Sequence, residues 1–243
     1  MHLPILNLDS GDIPPRMLVV GDPGRARRAA TRLEAAEEIG HNREYLTLVG
    51  RHRGVEVGVV SHGVGAAGAA VCFEELFRAG VRRVIRAGTC GGMQEEVTDG
   101  HLVIVTGAVR NDGFTNQIVP DGYPALASTD VIAALRGAAS DHPDLHEGLS
   151  LTGAVFYSHE ILGSDLTLWQ KTGVKVVEME CAVLFVLGGL AGVETGAILT
   201  VDGNPLLRAD AEMNAYNPHR EVVQEAVGQM IDIAFDALID QPA

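Results

Sequence analysis

Short apolar runs broken by glycine and charged turns set the rhythm of this chain. Met17 to Val20 is an apolar run that ends in Gly21-Asp22-Pro23-Gly24-Arg25. After it Ala26, Ala29, Ala30 and Leu33 recur at helical spacing, which predicts a strand and then a helix beginning near Arg25. Tyr45 to Val49 and Val55 to Ser61 flank Arg51-His52-Arg53-Gly54, the pattern of a hairpin. His62-Gly63-Val64-Gly65 leads into a helix of small residues ending near Gly80. Strands follow at Val84 to Ala87 and Leu102 to Val105, and a helix at Val131 to Ala139 that Ser128, Thr129 or Asp130 can cap. Val174 to Val177 and Gly196 to Val201 read as strands around an apolar helix, Cys181 to Ala191. A last helix, from about Arg220 to Ile239, carries apolar residues at Val223, Val227, Met230, Ile231, Ala234, Phe235 and Leu238. The longest irregular stretches are Asn111 to Ala127 and Leu206 to Pro218, and loops of that length in a compact domain tend to be functional.

No linker, repeat or low-complexity stretch divides the chain, so residues 1–243 are read as a single α/β domain around a mixed, largely buried sheet. Hydrophobic residues make up 47% and charged residues 21%, ordinary for a globular protein. A formal net charge of −14 argues against nonspecific nucleic-acid binding but leaves room for a local basic pocket. No apolar run is long and uninterrupted enough to span a bilayer, and Met1-His2-Leu3-Pro4 lacks the basic then apolar pattern of a signal peptide. Cys72, Cys90 and Cys181 are spaced too widely for a zinc knuckle or redox pair. They are read as reduced thiols of a cytoplasmic protein, with no metal expected.

The candidate chemistry centres on Arg86. It follows the apolar pair Val84-Ile85, and the glycines of Ala87-Gly88-Thr89-Cys90-Gly91-Gly92 suggest a turn directly after it. Arg82 and Arg83, before the pair, can reach water. A guanidinium keeps its charge, so its placement at a strand end needs an anion. That anion is either a ligand or an internal carboxylate, and this segment alone leaves both open. Gly21 to Arg25 form a second anion cradle, where free N–H groups, a helix dipole and a guanidinium converge. It matches neither the GxGxxG nor the P-loop pattern. In Val176-Val177-Glu178-Met179-Glu180 an extended backbone would put Glu178 and Glu180 on one side and Met179 on the other, next to apolar sequence that favours buried, partnered carboxylates. Asp202 ends the apolar run Leu199-Thr200-Val201 before Gly203, where burial would help a carboxyl hold its proton; an ordinary Asp-Gly turn is the alternative.

Taken together these segments resemble the purine nucleoside and uridine phosphorylase family of the hexameric type. The resemblance runs from Val19 to about Leu238, and is carried by Gly21-Asp22-Pro23-Gly24-Arg25, Asn42-Arg43-Glu44-Tyr45, Ser61-His62-Gly63-Val64-Gly65, Ile85 to Gly91, Val177-Glu178-Met179-Glu180 and Val201-Asp202-Gly203. Phe73-Glu74-Glu75-Leu76 and Val201-Asp202-Gly203 are most similar to the apicomplexan purine enzymes. The resemblance implies a partly barrel-like central sheet flanked by helices. It implies that Gly21, Arg25, Arg86 and Thr89 hold phosphate, and that Arg43 reaches a neighbouring subunit's phosphate. Met179 and Glu180 would hold ribose, Phe156, Tyr157, Val177 and Glu178 the base, and Asp202 would be the general acid that protonates purine N7. The partners implied are a nucleoside and inorganic phosphate as co-substrate, with no cofactor, in a homo-oligomer whose sites are shared across a dimer within a hexamer.

Two departures stand out. Ile5 occupies the position of the family's N-terminal ribose-binding histidine, and His2 lies three residues earlier, able to take that role only if the loop shifts. Ala215 occupies the spacing of a helper arginine, while Arg208 and Arg220 lie elsewhere. A uridine phosphorylase is the nearest alternative, but the Ser164 to Gln170 segment lacks the Gln-x-Arg that reads uracil there. A nucleoside hydrolase of this fold would not need Arg25, Arg43 and Arg86. A noncatalytic nucleoside binder would not need Asp202 and Glu180.

Overall fold

Strand β3 (Arg16–Val20) is buried from Met17 onward, because parallel neighbours cover both of its edges. A computed structural model describes residues 1–159, 161, 163–206, 217 and 219–240 of the chain. Before β3 come the short strands β1 (His2–Leu3) and β2 (Leu8–Asp9), paired antiparallel. After it come α1 (Pro23–Ala30), β4 (Glu34–Asn42), β5 (Tyr45–His52), β6 (Val55–Ser61), α2 (Ala66–Arg78), β7 (Arg83–Gly92) and β8 (Leu102–Asn111). The second half holds β9 (Ala125–Leu126), α3 (Thr129–Ala138), β10 (Leu145–Gly153), α4 (Leu166–Lys171), β11 (Val176–Glu178), α5 (Cys181–Ala191), β12 (Glu194–Gly203) and α6 (Glu221–Ile239).

The large sheet runs in the order β11-β10-β8-β12-β7-β3-β6-β5-β4, with β9 beside β8. Because β11 also pairs with β7, the strands β7, β12, β8, β10 and β11 close into a small barrel from which the rest of the sheet extends. The expected mixed, partly barrel-like sheet is therefore present. Helix α5, apolar on nearly all sides, is buried from Cys181 to Gly188 and packs against α2 and β12. Helix α6 buries the whole of its periodic stripe, Val223 to Leu238, against α3 and the barrel.

Several strands differ from the sequence expectation. The glycine-rich stretch after Arg86 is not a turn: β7 continues to Gly92, so Arg86 lies in mid-strand. The reason is pairing on both edges, with β12 as far as Gly203↔Gly91 and with β11 at Val176↔Gly92. Glycine is needed there for close approach, since a Cβ at Gly92 would lie 2.3 Å from the Val97 carbonyl oxygen. Arg83 does not reach water. It is buried, 2.6 Å from Glu194, and donates to the C-terminal carbonyls of α6 at Ala237 (3.2 Å) and Asp240. Ser128 sits at the N-cap of α3, but its hydroxyl accepts from the Thr195 amide instead of capping the helix. Strands β4 and β10 escaped sequence reading, β4 because it is largely exposed and shows no alternation, β10 because its buried Ser150 and Thr152 read as surface residues.

The contacts around two glycines separate packing from propensity. Gly92→Ala should lower unfolding free energy by about 1–3 kcal/mol, since backbone cannot yield to the new methyl. Gly137→Ala, in α3 with nothing within 4 Å of the added Cβ, should raise it by about 0.5–1 kcal/mol. Urea unfolding of both variants checks the pair; equal effects would contradict the close approach at Gly92.

Candidate active site

In mid-strand Arg86 is buried, with only 3% of its surface exposed. Its side chain folds back over Gly88, where a Cβ would lie 2.3 Å from Nη1, so no other residue fits at 88 without moving the guanidinium. Nη2 donates to the Glu180 carboxylate and lies 3.4 Å from Glu178 Oε2. Burial opposes the charge on Arg86, but the adjoining carboxylates, Glu180 foremost, outweigh it and push the pKa up. Nε and Nη1 are buried with no hydrogen-bond partner among the described residues. A charged fork with two unspent donors is half of an anion site.

The two glutamates that meet Arg86 have different work. Glu178 Oε1 accepts from Thr152 Oγ1 (2.5 Å) and Ser150 Oγ (3.4 Å), and Oε2 accepts from the amides of Glu180 (2.7 Å) and Cys181 (2.8 Å). Those amides open α5, so Glu178 caps that helix and meets its positive end. Thr152 Oγ1 accepts in turn from the Ala182 amide at 2.9 Å. With its side chain 1% exposed and its oxygens engaged, Glu178 braces the site and presents no free edge to a base. Glu180 Oε1 accepts from the Gly65 amide (2.5 Å) at the N-cap of α2. Both glutamates do reach the same side; Met179 between them is half-buried, as is Val177.

The loop from Ser61 to Gly65 forms the opposite wall. Ser61 Oγ donates to the Glu44 carbonyl (2.5 Å) and accepts from the Leu46 amide (2.9 Å). His62 is fully buried; its Nδ1 lies 2.8 Å from the Gly63 carbonyl and so carries the proton, leaving Nε2 without a partner among the described residues. Burial first, and then the charges of Arg86 and Arg25, hold its pKa well below the ordinary value. Both guanidiniums therefore act on one imidazole. Asp22 caps α1 by accepting from the Arg25 amide (2.8 Å), and a Cβ at Gly21 would lie 4.0 Å from both Arg25 Nη1 and the Gly63 carbonyl. Gly21, Arg25, Gly63, His62 and Arg86 thus share one neighbourhood. Thr89 is half-buried three residues beyond Arg86.

Other sequence-selected residues lie further out. Arg43 stands exposed in a left-handed conformation (φ 55°) at the Arg43-Glu44 turn between β4 and β5. Glu44 abuts Gly63, which places that turn beside the cradle. His2 is exposed, and the loop after it is pinned: the Ile5 and Leu6 amides donate to Glu75 (2.9 and 2.8 Å), and Asn42 donates to the Ile5 carbonyl (2.7 Å). Phe156 and Tyr157 pack edge to face at 4.9 Å on an exposed stretch after β10.

Asp202 is buried at a β-bulge, where the β12–β7 pairing passes from Val201↔Cys90 to Gly203↔Gly91 and skips it. Its backbone carbonyl accepts from Arg220 Nη2 at 3.0 Å. The Cys90 thiol beside it is pushed well up, by burial first and then by Asp202 and Glu178. Arg208 and Ala215 lie outside the described residues. Sequence reading singled out neither Ser150, Thr152 nor His62 as a working residue. Only the buried polar character of each, invisible in one dimension, would have marked them.

With this geometry the relatives become informative. The chain belongs to the phosphorylase superfamily, whose sequence profile matches residues 15–240. Within it the chain is a member of the nucleoside phosphorylase family. It is 36% identical over 233 residues to the purine nucleoside phosphorylase of Plasmodium vivax, covering 95% of this chain and 93% of that one. It is also 36% identical over 214 residues to the uridine phosphorylase of Treponema pallidum, covering 84% and 83%. The crystal structure of purine nucleoside phosphorylase from Toxoplasma gondii in complex with immucillin-H superposes with a TM-score of 0.92 at 30% identity, covering 98% of this chain and 95% of that one.

The neutral burial of His62 carries a pH prediction. The folded protein holds the imidazole unprotonated, whereas the unfolded chain binds a proton below the ordinary value of 6.5. The unfolded state thus binds more protons in acid, and stability falls as pH drops through that value. Between pH 7 and pH 5.5 this one group should cost on the order of 1 kcal/mol. Unfolding free energies of the wild type and His62→Gln, measured across that range, should diverge by this amount. Parallel profiles would show that the fold does not lower the pKa of His62.

Proposed function

We propose that the chain is a purine nucleoside phosphorylase, acting on 6-oxopurine nucleosides such as inosine and guanosine. The ribosyl group passes to inorganic phosphate, giving free base and ribose 1-phosphate, with no cofactor. The observation that carries this reading is the buried fork of Arg86, whose Nε and Nη1 await an anion next to Arg25. Water as acceptor would need no such fork. The purine assignment is supported by Asp202 and by the relatives in Plasmodium and Toxoplasma.

In this mechanism Gly21, Arg25, Arg86 and Thr89 hold phosphate, and Arg43 serves the site of a neighbouring copy in a dimer within a homohexamer. Glu180 and Met179 hold the ribose hydroxyls and ring, Phe156, Tyr157 and Val177 line the base, and His2 is the N-terminal candidate for the 5′-hydroxyl. Glu178 enters as the brace of Arg86 and α5. As the C1–N9 bond stretches, its electrons move into the base and the ribose becomes oxocarbenium-like. Protonated Asp202 delivers its proton to N7, the anionic phosphate stabilises the sugar, and a phosphate oxygen closes the new bond at C1. A cytoplasmic salvage role fits this chemistry. The second reading is uridine phosphorolysis at the same site, favoured by the equal identity to the Treponema enzyme.

A panel of inosine, guanosine, adenosine and uridine, with and without phosphate, tests the proposal. Inosine or guanosine should be cleaved fastest, with ribose 1-phosphate formed and little turnover without phosphate. Asp202→Asn should slow inosine cleavage by about 10²–10⁴-fold. Preferential uridine cleavage would move the base assignment, and phosphate-independent turnover would overturn phosphorolysis.

A further inference from the structure

We propose that Arg220 and Asp99 clamp the backbone of the Asp202 bulge, making Arg220 a positioning residue for proton delivery to the leaving base; the proposal rests on the general-acid reading of Asp202. At the bulge the β7–β12 register skips Asp202. Arg220 Nη2 donates to the Asp202 backbone carbonyl at 3.0 Å, while Nη1 of the same guanidinium lies 2.5 Å from Asp99 Oδ2. Arg220 occupies the N-cap of α6, where a cation opposes the helix dipole, and no capping bond holds it there. Asp99 offsets that cost and fixes the direction of the fork.

The turn bearing Asp99 grips the preceding residue as well. The Gly100 amide donates to the Val201 carbonyl, and the Val201 amide donates to the His101 carbonyl, both at 2.9 Å. Gly100 has φ +86°, and a Cβ there would lie 2.7 Å from Val222 Cγ2, so the turn is packed onto the start of α6. Val201 and Asp202 are thereby held at three backbone points, from two elements that meet at the Asp99–Arg220 pair. A bulge aims a side chain, but only if its own backbone cannot swing. Here the clamp supplies that restraint at the one residue the ladder leaves out.

The test compares inosine with 7-methylinosine, whose N7 is already alkylated and whose base leaves without needing a proton. In Arg220→Ala the rate ratio of inosine to 7-methylinosine should fall about 10–100-fold, the scale of a misplaced catalytic group. The KM for phosphate should hold. Arg220→Lys should recover part of the ratio. Asp99→Asn should shift it in the same direction, and Asp99→Asn in the Arg220→Ala background should add little, because the pair acts as a unit. An equal loss on both nucleosides, or none on either, would overturn the clamp. Asp202→Asn in the same assay separates the two claims. If it leaves the ratio unchanged, the general-acid reading itself has failed; if it lowers the ratio while Arg220→Ala does not, only the clamp has.

Discussion

A guanidinium buried against two carboxylates is the constraint around which this fold is arranged. Removing three charges from water is costly, and the arrangement stands because each carboxylate has more than Arg86 to hold it. Glu178 takes two hydroxyls and two backbone amides; Glu180 takes the amide that opens α2. The ion cluster therefore fastens the N-termini of α2 and α5 to the middle of β7. Helix dipoles and charged side chains reinforce one another at one place in the sheet.

Within this cluster each carboxylate has amide or hydroxyl partners, whereas Nε and Nη1 of Arg86 have none among the described residues, and the charge of Arg25 and the ring of His62 lie near. His62 is held toward the neutral form by burial first and then by the two nearby guanidiniums. Gly88 is glycine because the Arg86 side chain lies where its Cβ would be. The bulge that carries Asp202 forms further along β7, where β12 slips by one residue. Anion fork and candidate acid thus share one strand as their common reference.

Much of this was legible in one dimension. Arg86 after Val84-Ile85, the Glu178/Glu180 pair and the Asp202 position all follow from charged residues interrupting apolar runs, and α5 and α6 follow from apolar content and period. What could not be read is where pairing overrides local preference. Gly88, Gly91 and Gly92 signal a turn, yet two neighbouring strands hold them extended. Strand β4 gives no alternation because its faces are largely exposed, and Ser150 and Thr152 on β10 look like surface residues until Glu178 is placed beside them. Arg220 stood off the helper-arginine spacing in the sequence, and its partner Asp99 is more than a hundred residues away.

Arg86 admitted two readings at the outset, a ligand's counter-ion or an internal salt bridge, and the structure shows the second while leaving donors for the first. Calorimetric titration of inorganic phosphate into the wild type and into Arg86→Lys, with folding of both verified by circular dichroism, decides between them most directly. Lysine keeps the charge but lacks the planar fork. The account predicts that the wild type binds phosphate and that the substitution weakens binding at least about tenfold, or ~1.4 kcal/mol. Equal affinity in the two proteins would mean that Arg86 serves only Glu178 and Glu180, and that the anion site lies elsewhere.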